Sequence, residues 1–406
     1  MTRSEQTLPP ALVLGIETQI GLALVRELGR AGIRVIGISR SAHPIAGASK
    51  YMERVVRAPE RREELIPWLA ALGREYSGAV LLALSELDLA LLAENREALD
   101  GLRLVCPSLA ALRATSDKAA TLRIASEVGI CVPRSVSVAE AGTIEAAVAS
   151  ANYPAVVKWS DPVAVRLALE REGLPLIKAE YAQSPTELTA ILSRYSRVGA
   201  WPLVQQYCRG VGLGQFFFMK SGEALLRFQH LRVAEWPPEG GVSAVCDALP
   251  LSEHGALQEL SIELLRRLGW SGVAMVEYRL DPATGEAVLM EVNGRFWGSY
   301  PLAVHSGAGF GLAAYFVEGL GREAPNVALR DDLRARFVVA EVKRLGRILF
   351  APSQIADPFF HIQRWREIAR FVTDFFRPRR RYYVWAWRDP LPLFRDVTSS
   401  VLRRNE

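Results

Sequence analysis

The chain is poor in the features that would mark a secreted, membrane-spanning or thiol-dependent protein. Its four cysteines, Cys106, Cys131, Cys208 and Cys246, are scattered with no paired spacing. That argues against a disulfide framework or a zinc site and makes a cytoplasmic, reducing setting the expectation. No apolar run of about 18 or more residues exists to span a membrane. The opening Met1-Thr2-Arg3-Ser4-Glu5-Gln6 carries no secretory apolar core. The histidines form no His-x-x-x-His pair, and His43, His254 and His361 read as structural or surface residues. Nothing resembles a nucleophilic triad. A Gly-x-Gly-x-x-Gly fingerprint is also missing: Gly15 and Gly21 are the only glycines in the first turn, so dinucleotide binding there is weakly supported. Between Trp159 and Lys178 the only glycine is Gly173.

What is present describes a globular protein. Half of the 406 residues are apolar and 23% are charged, a composition for two to four domains with real cores. The net charge of +5 is uneven. Asp331 to Glu406 holds sixteen Lys and Arg against nine Asp and Glu, a surplus of seven, which leaves the preceding residues at −2.

Apolar runs at Ala11–Gly15, Val35–Ile38, Val80–Leu84 and Leu102–Cys106 alternate with helical patterns. They predict an α/β start with a parallel, doubly wound sheet. Ser85 precedes Glu86-Leu87-Asp88 as a helix cap. The character changes at Ser116-Asp117-Lys118, where a helix runs to about Val128. Strands are expected at Tyr153–Lys158 and Pro202–Cys208, and a hairpin around Ser221-Gly222. A helix-bearing insertion is expected over Val163–Glu172, a long Pro/Gly-rich loop between Arg232 and Ser243, and a helix over Leu257–Leu268.

The densest chemistry lies in Ala274-Met275-Val276-Glu277-Tyr278-Arg279 and Val288-Leu289-Met290-Glu291-Val292-Asn293-Gly294-Arg295. Asp281-Pro282-Ala283-Thr284-Gly285 between them is turn chemistry, so the runs read as a hairpin. Glu291 and Asn293 share a face, with Glu277 opposite on the neighbouring strand. Two carboxylates and an amide oxygen suit a hard cation such as Mg²⁺. Arg295, on the same face, can fork anionic oxygens. The plainer reading is a half-exposed polar hairpin, weakened because both acids sit in strongly apolar strands.

In this order and at these separations, the features over residues 11–325 resemble the ATP-grasp superfamily. The branch is that of the carboxylate–amine ligases and carbamoyl-phosphate-synthase-like enzymes. The elements are the α/β start, Asp117-Lys118 with Gly129-Ile130-Cys131-Val132-Pro133, the Pro154–Lys158 strand, Gln205–Gly210, and the two acidic strands. The resemblance implies an α/β and α+β architecture. A pre-ATP-grasp domain would occupy residues 1–115, a small lid subdomain 116–200, a catalytic subdomain 201–325, and a basic, aromatic-rich helical extension 326–406.

It also implies roles. Lys118 and Lys158 would contact the phosphates of ATP, with Lys178 compensating for the absent glycine loop. Gln205, Gln206, Tyr207 and Cys208 would form the hinge that reads adenine through backbone groups. Glu277, Glu291 and Asn293 would hold Mg²⁺ or Mn²⁺, and Arg295 would stabilise the transferring phosphoryl group. The activity implied is ligation: a small-molecule carboxylate becomes an acyl phosphate, and an amine displaces phosphate. Water must then be excluded, and the Trp236–Gly241 loop is the candidate lid. His230 and Arg232 share a face of the strand leading into it, and Arg232 is expected on phosphate or the substrate carboxylate. For Lys118, Lys158 and Arg232 the plain alternative is an exposed surface position. His305 reads as a buried structural residue or as part of the acceptor side.

Three departures from the pattern stand out. The glycine-rich phosphate loop is missing. Gly212 or Leu213 stands where an acid often meets ribose. Met275 replaces an arginine before the first metal acid, with Arg279 on the same face as Glu277. Two rivals remain: an ATP-binding regulator or scaffold at a membrane-associated complex, and an NAD(P)-dependent enzyme using the first domain. No nucleic-acid partner is expected. The Arg- and Trp-rich stretch 375–390 reads as a cap packing its aromatics on the core, or as a peripheral contact with a membrane surface or acidic protein.

Overall fold

The computed structural model describes residues 8–160, 162–177 and 179–402. Among the described residues sixteen strands form three sheets. The first sheet comprises β1 (Ala11–Leu14), β2 (Val35–Ser39), β3 (Arg54–Arg57), β4 (Val80–Ala83) and β5 (Arg103–Val105). All are parallel, in the order β3-β2-β1-β4-β5. Both faces of β1 are buried, as a parallel sheet covered by helices requires. Thr18 caps helix Gln19–Arg30 by accepting from the amide of Ile20, and Ser85 caps Glu86–Glu94 as expected.

The second sheet is small: β6 (Ser135–Ser137), β7 (Ala155–Lys158), β8 (Glu180–Ala182) and β9 (Leu203–Gln206), in the order β6-β9-β7-β8. It has its own core around Val138, Val148, Val157, Leu188 and Val204. The insertion after β7 is the helix Pro162–Arg171.

The third sheet carries the chemistry. It contains β10 (Val211–Lys220), β11 (Glu223–Trp236), β12 (Val242–Ala248), β13 (Gly272–Leu280), β14 (Ala287–Asn293), β15 (Arg334–Arg336) and β16 (Arg380–Tyr382). Their order is β14-β13-β10-β11-β12-β15-β16. Its apolar faces merge with those of the first sheet. One continuous core runs from Val13 and Leu24 through Phe216, Trp297, Tyr300 and Phe310. Trp297 stacks on Phe216 at 4.0 Å and meets Phe310 edge-on.

Two expectations need correction. The long loop between Arg232 and Ser243 is half strand: β11 continues to Trp236 and β12 begins at Val242, leaving Pro237–Gly241 as the connection. Irregular register at Arg232–Ala234 and Ala234–Glu235 had broken the two-residue alternation that would reveal a strand. The C-terminal segment is also more than helical. β15 pairs with β12 and β16 pairs with β15, so this segment completes the central sheet. Its arginines are not simply outward. Arg336 is fully buried against Glu341, and Arg334 grips Asp247 and Asp374. Tyr383 is buried in the shared core.

The extension also reaches the first domain. Asp389 accepts from Arg26 Nε at 2.8 Å, from Ser49 Oγ at 2.7 Å and from the Lys50 amide at 2.9 Å. Arg26 and Asp389 are both buried. Asp389→Ala should therefore destabilise the protein by about 3–5 kcal/mol, because it strands a buried guanidinium. Urea unfolding with Arg26→Met/Asp389→Leu alongside checks this, since the paired apolar replacement should recover most of the loss.

Candidate functional site

Strands β13 and β14 pair Met275 with Asn293 and Glu277 with Glu291 directly across the ladder, before the register shifts at Tyr278. Two carboxylates thus meet on one face, and each has its own compensation.

Glu277 accepts a bidentate fork from Arg232, Nη1 to Oε1 at 2.7 Å and Nη2 to Oε2 at 2.5 Å. Arg232 Nη1 also bonds Glu235 Oε1 at 2.8 Å, and Glu235 Oε2 lies 3.2 Å from Arg279 Nη1. Arg232 starts on β11 and must cross β10 to reach β13. It can because β10 carries glycines there. A Cβ at Gly212 would stand 2.6 Å from Arg232 Cδ, and one at Gly214 would stand 2.7 Å from His230 Nε2. Burial opposes the Arg232 charge, but Glu277 and Glu235 outweigh it and hold its pKa above the ordinary value. Burial raises the Glu277 pKa despite Arg232. His230 is buried with both ring nitrogens unpartnered, and burial followed by the neighbouring Arg232 keeps it neutral.

Glu291 is compensated from the other side. Burial pushes its pKa up, but Lys118, whose Nζ lies 3.8 Å from Oε2, and Asn293, whose Nδ2 donates to Oε1 at 3.0 Å, help bring it below the ordinary value. Lys118 sits at the start of helix Lys118–Glu127, capped by Asp117. Lys158 ends β7 and faces this group. Burial, then repulsion from Lys118, lowers its pKa to about 8.

These residues line a cavity of about 1130 Å³ between the small and central sheets. Lys118, Lys158, Gln205, Gln206, Tyr207, Cys208, Arg232, Glu277 and Glu291 all reach it. Asn293 stands behind Glu291. Arg295 turns away, donating to Asn293 Oδ1 at 3.0 Å and pairing with Glu86 at 3.4 Å, and lines a smaller pocket. The alternation that placed Arg295 on the acidic face ends with β14 at Asn293. Lys178 lies outside the described residues. The amides of Gln206 and Tyr207 are bonded to the carbonyls of Arg134 and Pro154, so these two amides are engaged within the fold.

Several cavity residues escaped sequence reasoning. Glu235 follows a bulge and shows no alternation with Arg232. The extension contributes Arg344, Asp357, Phe359 and His361. Asp357 accepts from the Tyr207 hydroxyl at 2.9 Å, and Phe359 packs on that ring at 4.7 Å. His361, expected at the surface or in a structural place, is a wall of the cavity. His305 is half-buried, its Nε2 3.0 Å from the Tyr382 carbonyl, and it lines a different cavity. Of the expected lid, Trp236–Gly241, residues Pro237–Gly241 border the cavity, while Trp236 ends β11 and is not among the lining residues. This segment is fastened by the extension: Arg347 covers the Trp236 ring at 4.6 Å and stands 3.7 Å from Glu239.

Among the described residues no group of three or more His, Cys, Asp or Glu could enclose a metal. Two carboxylates and one amide are nonetheless a fitting set for Mg²⁺, which takes its remaining oxygens from water and phosphate. Among the described residues no helix is long and apolar enough to cross a membrane.

The small sheet, the paired-acid hairpin and the lysine-bearing cavity between them follow the arrangement that the resemblance implied. The comparisons agree. Residues 242–317 match the model of the carbamoyl-phosphate synthase L chain ATP-binding domain. Among solved structures, L-amino acid ligase from Bacillus licheniformis superposes with a TM-score of 0.55 at 19% identity, covering 77% of this chain and 74% of that one. Biotin carboxylase from Campylobacter jejuni gives 0.61 at 14% identity, over 80% and 74%. N5-carboxyaminoimidazole synthetase from Staphylococcus aureus complexed with ADP gives 0.60 at 13% identity, over 82% and 83%. No curated protein matches by sequence. The resemblance to the ATP-grasp superfamily is thereby borne out, and the fold is that of its ligases and carboxylases.

Were Lys158 to contact phosphate, as the resemblance implies, polyphosphate binding should depend on pH. Lys158 is charged below about pH 8 and neutral above. ADP affinity, read by titration calorimetry, should fall about tenfold between pH 7 and 9. Lys158→Arg, permanently charged, should flatten that profile.

Proposed function

We propose that the protein is an ATP- and Mg²⁺-dependent ligase that activates a small-molecule carboxylate as an acyl phosphate and joins it to an amine. The observation that carries this reading is the Glu277–Glu291 pair facing Lys118 and Lys158 across one cavity. Phosphoryl transfer needs charge neutralisation and alignment more than covalent help, and this group is built for both.

Under this reading Lys118 and Lys158 hold the phosphates, and the hinge Gln205–Cys208 holds the base. Glu277, Glu291 and Asn293 hold Mg²⁺, which would screen the phosphate charge as the γ-phosphoryl group leaves. The substrate carboxylate attacks the γ-phosphorus and ADP departs. The amine then attacks the acyl carbon, the C–O bond to phosphate breaks with its electron pair on the phosphate oxygen, and the amine's proton leaves with the phosphate. Arg295 acts through Asn293, orienting its amide oxygen. Residues 116–200 close over 201–325, and Pro237–Gly241 shields the acyl phosphate from water. Each oxygen of Glu277 accepts one bond from Arg232 and keeps a lone pair that could face a cation. Arg232 itself lines the cavity, where it could meet the carboxylate or the phosphate. The fold neighbours support the reading, since one of them is an L-amino acid ligase.

The Arg232 fork also favours a second reading, a nucleotide-binding regulator without turnover. ADP and phosphate release from Mg²⁺-ATP, measured against pooled carboxylates and amines, separates the two. A ligase should release both products only with a particular pair, and Glu291→Ala should cut turnover by at least about a hundredfold, roughly 3 kcal/mol. ATP binding with no release from any pool would favour the regulator.

A further inference from the structure

A second concavity lies on the extension, apart from the nucleotide cavity. It measures about 460 Å³ and is lined by Arg377, Arg379, Arg380, Arg381, Trp385 and Trp387 with His305 at its base. Its charge is poorly compensated. Arg379 pairs with Asp332 at 2.8 Å and Arg377 stands 3.6 Å from Asp374. Among the described residues Arg380, Arg381 and Arg388 have no carboxylate within ion-pair distance. Arg380 instead donates to the Tyr382 hydroxyl and the Arg377 carbonyl, and Arg381 to the Arg380 carbonyl. Arg379 sits at φ +60°, a left-handed conformation that is uncommon for a long side chain. The turn is thus held so that successive guanidinium groups face one cleft.

Exposed apolar side chains adjoin this charge along the chain. Trp387 is 87% exposed and Phe376 81%, each beside an arginine. After Trp387 comes the helix Leu391–Leu402, whose Leu391, Phe394 and Val397 recur at helical spacing and are 62%, 63% and 46% exposed. Its opposite side is anchored, with Pro392 and Asp396 buried and Asp389 just before it held by Arg26. This helix therefore presents an apolar stripe to solvent from a fixed platform, and monomeric proteins rarely leave such stripes uncovered.

We propose that this face docks on an anionic phospholipid surface. Arginines take the phosphodiester oxygens in the cleft, while Trp387, Leu391 and Phe394 enter the headgroup layer. Charge complementarity selects this occupant: guanidinium forks suit phosphate oxygens. Indole rings beside an amphipathic helix suit the boundary between headgroups and acyl chains. An apolar protein groove would accept the stripe but gives no reason for three uncompensated arginines, and an acidic one gives none for exposed indole beside them. The cavity holding Glu277 and Glu291 shares no lining residue with this cleft.

The test is flotation of the full chain with vesicles of phosphatidylcholine alone, or of phosphatidylcholine mixed with phosphatidylglycerol. The protein should float with the mixed vesicles and not with phosphatidylcholine alone. Arg380→Ser/Arg381→Ser should weaken partitioning on the order of thirtyfold, from the typical contribution of each basic residue near an anionic surface. Trp387→Ser/Phe394→Ser should weaken it about tenfold or more. ADP binding by both variants should match the parent, which reports folding independently of any ligase activity. Failure to float, flotation insensitive to either variant pair, or equal flotation with both vesicles would overturn the proposal. So would binding of glycerol phosphate without vesicle binding, or equally tight retention of a single-stranded oligonucleotide.

Discussion

Placing two carboxylates directly opposite each other on an antiparallel ladder is the constraint around which the rest of the molecule is arranged. Like charges so placed repel, and burial makes each costlier. The surrounding fold answers from two directions. From β11, Arg232 crosses the glycines of β10 to fork Glu277. From the N-terminal end of a helix and from the small sheet, Lys118 and Lys158 approach Glu291. The second sheet is therefore set against the third by charge, while the first is joined to it by a shared apolar core. Two acids held on opposite sides by different partners also differ in their proton affinity, one raised and one lowered.

Much of this was legible in the sequence. The parallel sheet could be read because fully buried strands are short apolar runs separated by amphipathic helices. The Glu277–Glu291 juxtaposition could be read because Asp281–Gly285 fixes a hairpin and hairpins fix register. The limits of legibility have equally local causes. Periodicity failed at Arg232–Glu235, where bulges break the two-residue repeat, and past Asn293, where the strand ends and Arg295 is released toward Glu86. The extension was read as helical because β15 and β16 are three residues each, too short to show alternation. Asp357, Phe359 and His361 could not have been assigned to the cavity from their neighbours in the chain. What places them is contact with Tyr207, 150 residues earlier in the case of Asp357.

The extension changes how the site is enclosed. Arg347 on Trp236 and Glu239 fastens the connection between β11 and β12, while Asp357 and Phe359 cover Tyr207 at the hinge. Both edges of the cavity that border the hinge and the expected lid are thereby made partly from residues beyond 330. Any opening of the cavity has to move these contacts as well as the small sheet.

The order in which the central sheet is completed has a consequence for synthesis. β12 emerges from the ribosome long before β15, its partner on one side, and β15 in turn waits for β16 some forty residues later. Until then the nascent chain carries an open strand edge, with Cys246 on β12 still lacking the cover of Tyr383. An unpaired edge beside uncovered apolar surface is what molecular chaperones recognise and what drives intermolecular strand pairing. Demand for such assistance during translation is thus written into the position of two three-residue strands.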